Sequence, residues 1–322
     1  TGGSSGASEI LQAPRGALLA VHQNRIWVAN TKDMGSFMVG CGLDPHTGFP
    51  NPYDWDYENV RTEGAVSLNV SAEDQDAITG MSSSHYGDMY IWKANSFHRL
   101  SGAVYNNVSG PGAPYTLQTV SKNVGCASAR TIVTVGNDVY WMSAHGVHSM
   151  SVTEKFGDVA GAYLSYGISS IFDDLNHSRA SISQAVYVPG LGLYLLGVPV
   201  GGSAWMSKLL AYSVQEKRWM VWDIGEFSAM YLGAPIRGAD TVYVAQVEGN
   251  FKSKLAILDF EDQVDADYSV QISGATNSSR SASGIECVVE PGDVFVSGDP
   301  SVRYLRKSMN RMQAYSVPVG DF

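Results

Sequence analysis

The chain has 322 residues, a formal charge of −10 and a pI near 5.1. That balance excludes a general nucleic-acid binder, which needs a basic footprint to release counterions, but not an acidic channel wall along which DNA slides without sticking. Charged residues are only 16% of the total, against about 25% in ordinary soluble domains, which fits a surface covered by neighbours better than a free cytosolic enzyme.

The predicted elements recur as a short apolar or aromatic strand, a tight turn and another strand. Residues 16–42 contain Ala17-Leu18-Leu19-Ala20-Val21-His22, a turn at Gln23-Asn24-Arg25, Ile26-Trp27-Val28-Ala29 and a third strand at residues 37–41. Residues 78–102 repeat the theme with strands at 78–82, 89–92 and 96–100, the first turn passing through Tyr86-Gly87-Asp88. The cleanest copy has strands at 131–135, 139–142 and 147–150, separated by Gly136-Asn137-Asp138 and Ala144-His145-Gly146. Two more follow at residues 183–223 and 231–259. Strands about five residues long, rich in β-branched and aromatic residues and bounded by Gly, Asn and Asp, are hairpin signals. Their recurrence roughly every 40–55 residues predicts an all-β, radially repeated architecture. The expected fold is a β-propeller of five to six antiparallel blades with extended terminal arms and loops, the terminal strands completing the sixth. Two sandwiches are the structural alternative. The expected organisation is an N-terminal arm at 1–15, a single propeller domain at 16–317 and a C-terminal tail at 318–322. One short helix is expected, at residues 162–175, in a loop between blades.

Candidate chemistry is sparse. Asp54-Trp55-Asp56-Tyr57-Glu58 places three carboxylates in a Pro- and Asn-rich loop. As a strand it would set Asp54 and Asp56 on one side, the start of an acid–nucleophile pair, but no partner on another blade is identifiable. His145 and His148 are three apart, the wrong spacing for one strand face, and His22, His85, His98 and His177 are isolated. Asp262, Asp265 and Asp267 lack the glycine and terminal carboxylate of a calcium loop. Cys41, Cys126 and Cys287 form neither a disulfide framework nor a zinc site and read as buried thiols. No nucleophile elbow or phosphate loop is present, and no apolar run reaches the ~18 residues of a membrane span. The Asn-x-Ser/Thr sequons at Asn69, Asn107, Asn176 and Asn277 are attributed to chance in a Ser-rich chain. The expectation is therefore no catalytic residue, no metal and no cofactor. Arg303, Arg306, Lys307 and Arg311 break the acidic background. They are candidates for contact with DNA or an acidic patch on a partner, or for the positive charges of a protected edge strand.

Three stretches carry a family resemblance. Asn24-Arg25-Ile26-Trp27-Val28-Ala29 is followed by Cys41-Gly42-Leu43-Asp44-Pro45 and then Trp55. Residues 136–150 hold Val139-Tyr140-Trp141-Met142-Ser143-Ala144-His145-Gly146-Val147. Gly298-Asp299-Pro300 precedes the basic strand to Arg311. Together they resemble the neck and tail propellers of tailed bacteriophages, the tail nozzle, tail hub or packaged-DNA stabilisation type. The resemblance implies a structural virion protein, assembled in the host bacterial cytoplasm and acting in DNA ejection. It implies a homo-oligomeric ring, hexameric by analogy, around the DNA exit channel below the portal or adaptor. Its partners would be other copies, portal, adaptor or tail proteins, and genomic DNA passing through; no membrane is implied. The arm at 1–8 and the Gly/Ser-rich stretch 273–284 are expected to pack on neighbours. The rival reading is a carbohydrate-binding or glycoside-hydrolysing propeller, drawing on the aromatic content and the Asp54–Asp56 pair; a third is a cellular scaffold propeller that takes peptides.

Overall fold

The computed structural model describes residues 13–32, 34–58, 63–70, 76–85, 87–103, 115–156, 163–236, 239–248, 252–258 and 287–288. It is mostly β, with six antiparallel sheets among those residues. The chain divides into two compact units, Thr1–Tyr163 and Leu164–Phe322.

In the first unit, β1 (Gly16–His22), β2 (Arg25–Thr31) and β3 (Phe37–Gly40) run up and down. Two short strands, β4 (Gly42–Leu43) and β5 (Pro50–Asn51), form a separate hairpin before β6 (Val66–Asn69) pairs with β3 and completes the first sheet. The β1–β2 turn has two residues, with His22 opposite Arg25, and both Gln23 (φ 49°) and Asn24 (φ 58°) are left-handed. Left-handed residues at both central positions match the twist of the flanking strands. The second sheet is β7 (Ile78–His85), β8 (Asp88–Lys93), β9 (Phe97–Gly102) and β10 (Tyr115–Ser121) in sequence order. The third is β11 (Val133–Val135), β12 (Asp138–Met142) and β13 (Val147–Ser149).

Packing in this unit follows from side-chain alternation. On β8, Met89 and Ile91 join Trp27, Met38 and Leu68 of the first sheet in one core, while Tyr90 and Trp92 join Val139 and Trp141 of the third sheet in another. The middle sheet is thus apolar on both faces, so every residue of β8 is buried. Trp92 stacks on Phe97 at 5.7 Å and tilts against Trp141 at 5.4 Å. Burying one such ring stabilises by roughly 2–3 kcal/mol.

The second unit repeats the pattern. β14 (Gln184–Val188), β15 (Leu193–Val198), β16 (Lys208–Ser213) and β17 (Arg218–Trp222) form a meander. β18 (Phe227–Ile236), β19 (Ala239–Glu248) and β20 (Lys252–Leu258) form the next, and β21 (Cys287–Val288) pairs with the edge of β17. Leu195, Leu209, Ala211 and Trp222 of one meander share a core with Phe227, Met230, Val242 and Val244 of the other. All five expected meanders are therefore antiparallel sheets. The sixth falls largely on residues outside those described.

Three expectations are corrected. The strand expected at 147–150 ends at Ser149, and Met150–Phe156 is a helix, α1. The Ser149 hydroxyl accepts the Val152 amide at 3.4 Å and the Asp138 carboxylate accepts that of Ser151 at 3.0 Å, so two donors of the first turn are satisfied. The expected loop helix shrinks to a 3₁₀ turn at Tyr166–Ile168 and α2 (Ser169–Asp173), anchored by buried Ile168 and Phe172. The strand expected from residue 131 begins at Val133, because Ala129–Thr131 is a 3₁₀ turn held by the Thr131 hydroxyl donating to Ser128 O at 2.7 Å.

Candidate functional site

The acidic segment is built by its turns. The Asp44 carboxylate accepts the amides of His46 at 2.8 Å and Thr47 at 3.0 Å, which closes the β4–β5 hairpin and holds its pKa below the usual carboxylate range. The Tyr53 amide donates to the Asn51 side chain at 3.2 Å, and the Trp55 indole donates to Pro52 O at 2.8 Å. Trp55 is buried against Val28, Val39 and Cys41, with Tyr57 beside it, so the segment lies on the second face of the first sheet.

The segment is a loop, as its Pro and Asn content predicts, so the strand on which Asp54 and Asp56 would share one side is absent. Residues 54–57 are irregular, and the Asp56 amide turns back to the Asp54 carboxylate at 3.4 Å. A side-chain turn of this kind replaces the two-residue alternation a strand would impose. Asp54 is drawn inward: its carbonyl accepts the Gly42 amide at 2.8 Å, and a Cβ on Gly42 would collide with its carboxylate. It also lies in the field of Arg25, which has no exposed surface. Arg25 Nη1 donates to Cys41 O and Gly64 O, each at 2.6 Å, tying β2 to the chain on either side of the acidic segment. Burial pulls the guanidinium pKa down, and Cys41, Asp54 and Glu63 oppose it. Asp54 is thus a counter-charge within the fold.

The histidines are separated in role. His148 is buried, 2.8 Å from the Ser143 hydroxyl, stacked on Trp141 and edge-on to Tyr163, whereas His145 is exposed. His98 is buried between the Ser96 and Thr119 hydroxyls at 3.1 and 3.2 Å. Each of these buried imidazoles is held by hydroxyl partners and organises the turn around it. Among the described residues, no three of His, Cys, Asp and Glu are grouped to hold a metal ion. Cys126 is buried and its thiol is pushed up to about 12, and burial also raises the Cys41 thiol. Neither supplies a thiolate at neutral pH. Among the described residues, no helix is long and apolar enough to cross a membrane.

Asn176 of one sequon spends its amide on Ser203 O at 2.8 Å and its carbonyl on Ser178 at 2.7 Å. Arg303, Arg306, Lys307 and Arg311, the Asp262–Asp267 carboxylates and the stretches 1–8, 273–284 and 298–300 lie outside the described residues. Sequence reasoning passed over Arg25 as a turn residue; its signal was a lone cation heading an otherwise apolar strand. The chain matches no protein-family model and no curated protein.

Proposed function

We propose that the meanders are blades of a β-propeller, and that the chain is a structural subunit forming an oligomeric ring around the DNA exit channel of a bacteriophage neck or tail. The observation that carries the propeller is how consecutive meanders meet, which within each unit is through their first strands. The Ser83 hydroxyl on β7 donates to Val21 O on β1 at 2.6 Å. Gly80 on β7 leaves the space that Ile132, just before β11, occupies. Gln184 on β14 accepts the Met230 amide on β18 at 3.1 Å and donates to its carbonyl at 2.5 Å. First strands gathered together, with sheets stacked face to face beyond them, are what a radial arrangement requires.

The five first strands contain no Asp, Glu, Lys or Arg. An axis lined by them would not grip a polyanion. The phage assignment is supported by the likeness at residues 136–150, which include strands β12 and β13 with Trp141 in the core they share with β8. The hydrolase alternative has less to draw on, because Asp54 is engaged with Arg25 and Gly42. Negative-stain electron microscopy with sedimentation velocity tests the proposal. Rings with a central hole are expected, and a monomer persisting at high concentration overturns it.

A further inference from the structure

Among the described residues, the second face of the first sheet is only partly covered. Trp55 and Tyr57 lie over Val28, Val39 and Cys41. On β1, Leu19 and Val21, opposite Val28 and Ile26, remain 73% and 61% exposed. The covering segment itself leaves Phe49 and Tyr53 67% and 74% exposed. Apart from Asp54, which is drawn inward, residues 42–58 contain Asp44, Asp56 and Glu58 and neither Lys nor Arg. Large apolar side chains gathered on one face and rimmed by like charges mark an interaction surface.

We propose that this surface docks residues 301–312 of a second copy of the chain, an inference that rests on the ring reading. That segment reads Ser-Val-Arg-Tyr-Leu-Arg-Lys-Ser-Met-Asn-Arg-Met. It interleaves Val302, Tyr304, Leu305, Met309 and Met312 with Arg303, Arg306, Lys307 and Arg311, and has no carboxylate. It is thus apolar and cationic where the surface is apolar and anionic, in a chain whose overall charge is −10. Face and segment are different parts of the chain, so the contact is head-to-tail, the kind of contact that builds a ring when its rotation closes.

The test uses full-length variants whose circular dichroism and melting match the wild type: a face variant, Asp56→Lys with Glu58→Lys, and a segment variant, Arg306→Glu with Lys307→Glu. Each alone should fail to form rings in sedimentation velocity. Mixed, they should associate again, because one face–segment pair is intact and in the other both sets of charges are reversed and so again opposite. A labelled peptide of residues 301–312 should bind the segment variant and lose about tenfold in affinity when Asp56→Lys and Glu58→Lys are added. Tyr53→Ala should weaken it without changing charge. Rings that survive both charge reversals would overturn the docking and leave the ring reading standing. A monomeric wild type whose peptide still shows face-dependent binding would overturn the ring alone. Peptide binding indifferent to the face, or binding with no association on mixing, overturns the inference.

Discussion

A cation with no exposed surface must find its solvation inside the protein. Arg25 does so through the carbonyls of Cys41 and Gly64 and the fields of Asp54 and Glu63. Arg25→Met removes the donor and leaves two carbonyls and the acidic side chains uncompensated. A loss of about 3 kcal/mol is expected in urea unfolding. His22 is a different case. It is buried, its Nε2 has no hydrogen-bond partner, and burial holds its pKa below the ordinary value of about 6.5, with Asp88 opposing. Asp88 is itself paired with Arg99 at 2.5 Å. The unfolded chain therefore takes up the proton more readily than the folded one. The contribution of neutral His22 is complete above the unfolded pKa and is lost as pH falls from there towards the folded value. Urea midpoints of the wild type should accordingly drop relative to His22→Gln between about pH 8 and about pH 5. A constant difference would show that His22 does not titrate in this way.

At the scale of elements, the joints between meanders depend on a few side chains that bond backbone across a gap. Gln184 is the clearest, satisfying both the amide and the carbonyl of Met230. Gln184→Leu keeps the approximate volume but strands both groups. It should cost about 2 kcal/mol and raise the hydrogen-exchange rate of the Met230 amide. A variant as stable and as protected as the wild type would mean that the β14–β18 contact rests on apolar packing alone. Strand positions were legible because alternation and Gly, Asn or Asp turns leave a local signal, as at Gln23-Asn24 and Gly136-Asn137. Helix α1 was not, because the donors of its first turn are satisfied partly by Asp138, which is remote in sequence. β6 and β10 also went unread, since Val66–Asn69 and Tyr115–Ser121 carry mixed polar residues whose pairing is set by their neighbours.

For the whole molecule, the charge of −10 sets a further expectation. Duplex DNA at physiological salt should not be retained by the full chain in a mobility-shift assay, since a net charge of −10 repels the phosphate backbone. Retention with a Kd near ~1 μM would reassign Arg303, Arg306, Lys307 and Arg311 to nucleic acid. The sequence by itself determined the β class and the places of five meanders, because these depend on local alternation and turn chemistry. It also supplied the resemblance on which the phage reading rests. Only the tertiary structure decided that Asp54 faces a buried arginine, that β8 serves two cores, and that β1 meets β7 and β14 meets β18. Those outcomes depend on which distant segments share a face, and a carboxylate or an apolar strand looks the same in sequence whatever lies opposite it.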